Sequence, residues 1–295
     1  MARTPIDGVA VVDKPAGWTS HDVVARLRTT LGERRIGHAG TLDPDATGVL
    51  LVGVGRVTRL LRFLTALPKE YAGEVVLGVE TSTLDAGGDV VATHDMGGIT
   101  LDDVRGAAQG FVGEIDQVPP MVSAVKVGGR RLHELAREGQ EVERAARRVR
   151  VDRFDVEPAP SGATGVFRID VACSSGTYVR VLAADVGRAL GGGAHLRNLR
   201  RTAIGSFTEA EASSLEEITP AMLVAPAEAL RDYPRVRVES EMVVDVGHGK
   251  VLPHDRLGVD GEGPWAVVDD AGDLIAVYER HRQGTVKPSV VLAAR

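Results

Sequence analysis

The stretch RRIGHAGTLDPDATGVLLVGVG, residues 34–55, places two carboxylates, Asp43 and Asp45, on a glycine-flanked loop directly before an apolar run. Pro44 disfavours the helical region for the residue before it, which pushes Asp43 toward an extended conformation. The run at 49–54 shows no polar alternation, which is typical of a central strand buried on both faces. The sequence therefore predicts two carboxylates on a constrained loop at the edge of a buried strand.

The composition is that of a globular protein, because 295 residues, 43% of them hydrophobic, allow one large domain or two unequal ones. No apolar run is long enough for a membrane span and the first residues lack the layout of a signal peptide, so we expect a cytoplasmic protein. The single cysteine, Cys173, excludes an internal disulfide, and the eight histidines show no zinc-ligand spacing. We expect no structural metal.

The charge is unevenly distributed along the chain, although the net value is −6. Residues 1–70 carry ten Lys and Arg against seven Asp and Glu, and residues 126–201 carry fifteen against nine. Such segments are what a protein with one basic, phosphate-binding face would show. Solvated helix faces with chance clustering of charge are an equally good explanation.

Hydrophobic periodicity predicts intermingled helices and strands without a regular βαβ repeat. Capping-box patterns at Thr19 with Asp22 and at Thr100 with Asp103 predict the starts of two helices, and Gly32 predicts the end of the first. The other predicted elements are strands at 9–12, 49–54, 71–79, 121–127 and 166–173, and helices at 130–138 and 179–190. This order favours the α+β class, with a mixed, largely antiparallel central sheet flanked by helices and loops.

A change in composition predicts a domain boundary near residue 235. The segment at 209–236 is acidic and punctuated by prolines, and short strands with turns follow it. We therefore expect a large domain at 1–235 and a small β-rich domain at 236–295, which is near the lower size limit for independent folding.

The residues alone leave the role of Asp43 open. A loop aspartate most often accepts hydrogen bonds from nearby backbone N–H groups, and Asp45 invites the same interpretation. Gly53 and Gly55 lack the third glycine of a dinucleotide fold, and no P-loop motif occurs. These patterns argue against a nucleotide-cofactor enzyme.

Five blocks of the sequence resemble, in order, the motifs of the bacterial tRNA pseudouridine-55 synthases. They are DKPAGWTS (13–20), GHAGTLDPDATGVLLVGVG (37–55), KEYAGEV (69–75), CSSGTYVR (173–180) and GGGAHLRNLRRT (191–202). The match spans most of residues 8–205, whereas the tail after 235 resembles the small PUA-type RNA-binding module of the family only loosely.

The resemblance implies an RNA-modifying isomerase that converts uridine 55 in the T-loop of tRNA to pseudouridine. In this reaction the base is flipped out of the loop, detaches from its sugar, turns and rejoins through C5. No redox step occurs, so the resemblance implies no cofactor. The implied partner is the T-stem and loop of tRNA, no obligatory protein partner is evident, and we expect a monomer.

Three residues fall on catalytic positions of the family. Asp43 matches the essential aspartate, whose ionised carboxylate adds covalently or stabilises the sugar cation when the bond breaks. Arg180 matches the arginine that pairs with it, with a phosphate-binding or surface arginine as the alternative. Tyr71 matches the tyrosine that stacks on the base and is a candidate to assist loss of the C5 proton, with a core strand residue as the alternative.

Other positions are implied in substrate binding. His38 matches a histidine that contacts the loop from which the base is expelled, although many loop histidines only bond to backbone. Lys14 matches a lysine that holds the N-terminal motif near the active site, with a solvated surface charge as the alternative. Leu199 matches an apolar residue beside the flipped base, or packs in the core. The remaining candidates are Tyr178 and, for phosphate contacts or a solvated face, Arg197, Arg200 and Arg201.

Asp45 departs from the family, which more often has an apolar residue there, and a second charge pointing inward would raise the pKa of Asp43. Two other classes of function stay open. An RNA-binding scaffold without turnover would need only the basic segments and the C-terminal module. A hydrolase would use Asp43 and Asp45 as an acid–base pair and predicts equal importance of both carboxylates.

Overall fold

The chain forms a large mixed sheet followed by a smaller one, and the computed structural model describes residues 6–122, 126–127, 130–131, 140 and 142–292. The helices in these ranges are α1 (Ser20–Leu31), α2 (Leu61–Ala66), α3 (Leu101–Gln109), α4 (Val179–Ala189), α5 (Ser240–Gly247) and α6 (His254–Leu257). The first nine strands are β1 (Gly8–Lys14), β2 (Ile36–Ala39), β3 (Thr47–Val54), β4 (Lys69–Leu77), β5 (Val79–Thr81), β6 (Val90–Thr93), β7 (Gly113–Gln117), β8 (Lys126–Val127) and β9 (Arg130–Arg131). The others are β10 (Arg147–Pro158), β11 (Val166–Cys173), β12 (Ala194–Ile204), β13 (Phe207–Thr208), β14 (Arg235–Arg237), β15 (Leu252–Pro253), β16 (Trp265–Val268), β17 (Leu274–Arg280) and β18 (Thr285–Val291).

The larger sheet has nine strands in the order β1-β3-β12-β4-β11-β10-β7, with β2 also paired to β3 and β13 to β12. Its ladders are antiparallel except that of β12 with β3, where Arg200 pairs with Thr47 and Arg201 with Gly48. The predicted α+β class with a mixed, largely antiparallel sheet is confirmed. The apolar run explains the central place of β3, which is buried along all of its length after Thr47.

Both predicted capping boxes are formed. The hydroxyl of Thr19 accepts from the backbone N–H of Asp22, whose carboxylate accepts in return, and Thr100 and Asp103 do the same at the start of α3. Gly32 ends α1 in the left-handed conformation with φ 61°. These helix starts follow from local sequence because the backbone N–H groups of the N-cap residue and of the residue three positions later each bond to the other residue's side chain.

Three apolar clusters pack the larger sheet. One joins α1 to β1 and β3, and a second joins α3 and α4 to β4, β10, β11 and β12. The third joins the segment 55–67 to the smaller sheet, so that Leu60 and Phe63 share a core with Ala266 and Val290. The second cluster includes Val179 and so packs the start of α4 against β4, β11 and β12.

The smaller sheet has five strands in the order β14-β16-β17-β18-β15, with Trp265 and Tyr278 fully buried in its core. The prediction of a β-rich C-terminal part is confirmed, although the helices α5 and α6 were not predicted. The division at residue 235 stays a prediction, because the third cluster contains residues from both sides of it. Within the described ranges, no helix is long and apolar enough to cross a membrane.

Several elements differ from the predictions. The helix predicted at 130–138 begins instead as strand β9, and residues 132–139 lie outside the described residues. Of the strand predicted at 121–127, residues 121–122 form a bend and residues 126–127 form strand β8. Residues 123–125 also lie outside the described residues. Strands β7, β10 and β12 were not predicted. Dense charge hides the alternation in β10, and two register shifts interrupt it in β12.

Gly48 makes the parallel contact between β3 and β12 possible. Its φ is 98°, and a Cβ atom there would lie 2.2 Å from the carbonyl oxygen of Arg201. We expect Gly48→Ala to lower the free energy of unfolding by about 3 kcal/mol or more, because it combines left-handed strain with overpacking. Urea unfolding measures this value.

The matched control is Gly98→Ala, because a Cβ atom at Gly98 would meet nothing within 4 Å. Its unfolding free energy should change by less than about 1 kcal/mol. Equal stability of the Gly48 and Gly98 variants would contradict the proposed close approach of the two strands.

Candidate active site

The loop that joins β2 to β3 carries Asp43 and is held by backbone and side-chain contacts. The N–H of Gly17 donates to the carbonyl of Pro44 at 3.0 Å, and the N–H of Ala46 donates to that of Asp43 at 3.2 Å. The hydroxyl of Ser20 accepts from the N–H of Leu42 at 3.0 Å. The proline-containing loop is thereby tied to the N-terminal turn and to the first residue of α1.

Lys14 is fully buried under this loop. Its Nζ donates to the carbonyl oxygens of Pro15 at 2.9 Å, Trp18 at 2.6 Å and Pro44 at 2.9 Å. Desolvation lowers the pKa of Lys14 to about 8, against the raising effect of the nearby carboxylates Asp45 and Asp43. The side chain is therefore no solvated surface charge, and it stays a cation at neutral pH that braces the residue next to Asp43.

Arg180, in the first turn of α4, is only 4% exposed and links two carboxylates. Its Nη2 lies 3.0 Å from Oδ2 of Asp43, and its Nη1 lies 3.1 Å from Oδ2 of Asp85. The guanidinium also donates to the carbonyls of Thr83 at 2.8 Å and Val122 at 2.9 Å. A planar guanidinium with four acceptors has a fixed orientation, so it also fixes that of Asp43.

The ionisation of Asp43 reflects opposing effects. Desolvation raises its pKa most, Arg180 opposes this, and the carboxylates of Asp85 and Asp45 raise it further. The side chain keeps 41% of its surface exposed, which faces the cleft. Asp43 is thus a partly desolvated carboxylate whose charge depends on its cationic partner.

A cavity of about 270 Å³ opens beside this ion pair. Tyr71 and Leu199 contribute apolar surface, while Asp43 and Arg180 contribute charge. The other lining residues are Gly40, Thr41, Leu42, Thr65, Lys69, Ser175, Gly176, Thr177, Tyr178, Val179 and Arg201. A concave site with aromatic surface and a few convergent polar groups is typical of small-ligand recognition.

Tyr71 lies on β4, half-buried and in register with Arg201 of β12. Desolvation raises the pKa of its phenol, and the interaction with Arg201 opposes this only in part. The phenol is therefore neutral near neutral pH. Because Tyr71 contributes to the cavity wall, it is not a residue of the closed core alone.

Tyr178 caps the N-terminus of α4 and also lines the cavity. Gln117, which is 2% exposed, accepts from the N–H of Tyr178 at 2.9 Å and donates to its carbonyl at 3.2 Å. This bidentate amide contact anchors the helix turn that carries Arg180. No local pattern marks Gln117, because its partner lies 61 residues away.

The three arginines expected to contact phosphates are occupied by other groups. Arg201 is 1% exposed and donates to the carbonyls of Val49 at 2.8 Å and Gly40 at 3.1 Å. Arg200 forms ion pairs with Asp13 and Glu209, each at 2.9 Å, and Arg197 with Glu74 at 2.7 Å. All three guanidinium groups therefore have partners within the protein, and their contact with phosphate stays a prediction.

His38 lies on β2 opposite Val52 and does not line the cavity. Its ring packs edge-on against His21 with centroids 5.3 Å apart, and its buried Nδ1 has no hydrogen-bond partner among the described residues. Burial and the neighbouring His21 lower the pKa of His38 to about 4. The histidine is neutral at physiological pH and lies apart from the Asp43–Arg180 pair.

Asp85 belongs to the site but was not predicted from the sequence. It lies between β5 and β6, where its Oδ1 accepts from the hydroxyl of Thr83 at 2.6 Å and from the N–H of Gly87 at 3.1 Å. The local pattern indicates only a turn stabilised by an aspartate. Its contact with Arg180 spans 95 residues, and no local pattern carries that information.

A second cavity, of about 90 Å³, shares Asp43, Arg180 and Leu199 with the first. Asp45 and Asp85 line this second cavity and not the first. The two loop carboxylates of the sequence therefore share only the smaller cavity, and Asp43 alone of the two lines the larger one. Among the described residues, no group of three or more His, Cys, Asp or Glu side chains is placed to hold a metal ion.

Comparison with known proteins identifies the family. Residues 28–179 match the TruB family pseudouridylate synthase (N terminal domain), and residues 180–238 match the tRNA pseudouridylate synthase B C-terminal domain. The chain belongs to the TruB family of pseudouridylate synthases. It is therefore an enzyme, a pseudouridine synthase, which excludes the scaffold without turnover and the hydrolase as its class.

Relatives in several bacteria are similar over nearly the whole chain. A protein of Mycobacterium sp. (strain KMS) is 49% identical over 97% of this chain and 96% of its own length, and one of Bacillus thuringiensis (strain Al Hakam) is 43% identical over 97% of each. A protein of Symbiobacterium thermophilum is 51% identical over 84% of each. All three are named tRNA pseudouridine synthase B.

Solved structures agree with this fold. A chain in a crystal structure of a Cbf5-Nop10-Gar1 complex superposes with a TM-score of 0.74 and 27% identity, covering 96% of this chain and 84% of that one. A chain from an H/ACA RNP bound to a substrate RNA containing 2'-deoxyuridine gives 0.73 at 24% identity and shows likeness of fold.

The role of Lys14 can be tested through Lys14→Met. The substitution leaves the carbonyls of Pro15, Trp18 and Pro44 without a buried donor, so we expect a loss of about 1–3 kcal/mol in unfolding free energy. The rate of pseudouridine formation should also fall, because the Pro44 carbonyl adjoins Asp43. Denaturant unfolding and product formation measure the two effects.

Lys250→Met is the matched control, because Lys250 is exposed and pairs with Asp245 on the surface. It should change stability by less than about 1 kcal/mol and leave the rate unchanged. A Lys14 variant as stable and as active as the control would contradict the bracing role.

Proposed function

We propose that the protein isomerises uridine 55 in the T-loop of tRNA to pseudouridine, with Asp43 as the catalytic carboxylate. The observation that carries this proposal is the contact of 3.0 Å between Asp43 and the buried Arg180 at a cavity lined by Tyr71 and Leu199. The names of the relatives, tRNA pseudouridine synthase B, support tRNA as the substrate. The five sequence blocks that resemble the uridine-55 enzymes support the position.

The isomerisation of uridine requires few groups besides a well-placed carboxylate. The N1–C1′ bond breaks, the C5–C1′ bond forms, the C5 hydrogen leaves as a proton and N1 gains one, so nothing is oxidised or reduced. An ionised Asp43 can add covalently to the nucleotide or stabilise the sugar cation. Arg180 supports either role, because its guanidinium orients the carboxylate and opposes its protonation.

The target uridine must leave its loop to reach Asp43, which costs a few kcal/mol of lost stacking. The aromatic face of Tyr71 offers stacking that partly offsets this cost. Leu199 supplies an apolar wall on the same cavity. Because desolvation raises the pKa of Tyr71, a phenolate is a poor candidate for the base that removes the C5 proton, and stacking is the role we assign to this residue.

Unpaired cations on α1 and directly before β2 offer contacts for the tRNA backbone. Arg26 on α1 and the neighbouring Arg34 and Arg35 are exposed and form no ion pair within the part of the chain that the structure describes. We assign phosphate contacts to these residues in place of Arg200 and Arg201. Recognition of stem and loop would then depend on shape and backbone charge more than on base edges.

We further propose that the enzyme acts as a monomer in the cytoplasm without an obligatory protein partner. Asp43, Arg180 and Tyr71 of this chain line the cavity together. The carboxylate, its cationic partner and the aromatic wall need no contribution from another subunit.

The proposal is tested with tRNA carrying tritium at C5 of uridine 55, since the rearrangement must release that hydrogen to water. Asp43→Asn should abolish release and leave tRNA binding within a few-fold of the unmodified protein, because the amide cannot act as an anion but keeps the shape. Asp45→Asn is the matched control and should keep most of the release, because Asp45 lies outside the first cavity.

Two results would overturn the proposal. Normal release by the Asp43 variant would remove Asp43 from the chemistry. No release from uridine 55, together with release from tRNA that carries tritium at C5 of all its uridines, would leave the family assignment intact and change the substrate position.

A further inference from the structure

Strand β12 changes its hydrogen-bonding partner beside the active site. Leu196 accepts from the N–H of Ala86 and donates to the carbonyl of Leu84, both at 3.0 Å, which ties β12 to the loop of Asp85. Four residues later, Arg200 pairs with Thr47 of β3, the strand that follows the Asp43 loop. The Asp43–Arg180–Asp85 cluster therefore lies where one edge of β12 passes from one loop to the other.

Strand β12 contains a β-bulge between Leu196 and Arg200. In the ladder with β4, Arg197 pairs with Glu74 and Arg200 with Ala72, so β12 holds one extra residue between the two pairs. Asn198 accommodates the extra residue of the bulge with a φ of 53°. This is a left-handed conformation that few residues other than glycine adopt. Asparagine is among those that tolerate it best.

Side-chain contacts hold the bulge in place. Oε2 of Glu74 accepts from Nδ2 of Asn198 at 2.9 Å and from Nε of Arg197 at 2.7 Å. The side chain of Glu74 is only 14% exposed, whereas Asn198, which donates to it, lies at the surface. Leu199, the next residue, lines both cavities and lies in the wall that they share with the Asp43–Arg180 pair.

We propose that Asn198 is a positioning residue for the isomerisation: its left-handed backbone and its bond to Glu74 hold the bulge that directs Leu199 against the flipped base. This inference rests on the proposed function, because it assigns Leu199 to the wall that contacts uracil. Asn198 acts through Leu199 and touches no reacting atom. A small displacement of an apolar wall changes how the base lies against a carboxylate, and such misplacement lowers the rate of reaction more than the affinity.

Two substitutions separate the backbone from the side chain. Asn198→Ala and Asn198→Gly both remove the amide bonded to Glu74, and they differ in that only glycine adopts positive φ without strain. We expect Asn198→Ala to lower the single-turnover rate about tenfold, and Asn198→Gly to lower it no more than about threefold. Affinity for tRNA should stay within a few-fold in both, because phosphate contacts are untouched.

A double-mutant cycle with Leu199→Ala tests whether Asn198 acts through Leu199. If it does, Asn198→Ala combined with Leu199→Ala should react at nearly the rate of Leu199→Ala alone. A residue that only stabilises the fold would slow the double variant by the product of the two single effects. Rates are measured at saturating enzyme and well below the melting temperature of each variant, so that unfolding does not enter.

Equal rates for the alanine and glycine variants, or independent effects in the cycle, would overturn the positioning role. Failure of the proposed function looks different, because the unmodified protein would then release no tritium from uridine 55. An unmodified protein that is active, with Asn198 variants that are equally fast, rejects only the role of Asn198.

Discussion

The site depends on one buried guanidinium. Removing a charge from water costs several kcal/mol unless partners replace the solvent, and Arg180 finds two carboxylates and two carbonyls at its place in the fold. This requirement brings together the start of α4, the Asp43 loop and the Asp85 loop. Asp43 is the more exposed of the two carboxylates and the one that lines the larger cavity, so it is the one we expect to meet a substrate.

Other buried cations surround the same cleft and bond mainly to carbonyl oxygens. Lys14 donates to three, Arg201 to two, and Lys69 to those of Thr65 and Leu67. Desolvation lowers the pKa of Lys69 to about 8, so it too remains charged at neutral pH. Of these cations, Lys14 lowers the pKa of Asp43 and so favours its anion, although desolvation opposes this.

Features set by neighbours in the chain could be predicted from the sequence. The capping boxes at Thr19 and Thr100 and the buried run of β3 depend on residues within one turn or one strand. The pairing of Asp43 with Arg180 came from the resemblance of the motifs, and the structure places the two groups in contact. Asp43, Tyr71, Leu199 and Tyr178 line one cavity, although their roles remain proposals.

Features set by distant residues could not be predicted. Asp85 and Gln117 act through partners 95 and 61 residues away, and no local pattern marks them. At Arg201 the charge alone favoured a phosphate contact, because the sequence does not show that the carbonyls of Val49 and Gly40 accept hydrogen bonds from a buried guanidinium. The bulge at Asn198 interrupts the alternation of β12, so periodicity missed this strand beside the site.

The most direct test of the Arg180–Asp43 account is the pKa of Asp43 itself, followed by carbon-13 NMR of labelled aspartate carboxyl groups. The account predicts that Asp43 titrates above an ordinary aspartate. In Arg180→Met it should titrate at a still higher pH, because the opposing charge is lost, and Arg180→Lys should restore part of the difference. The same Asp43 pKa in all three proteins would contradict the account.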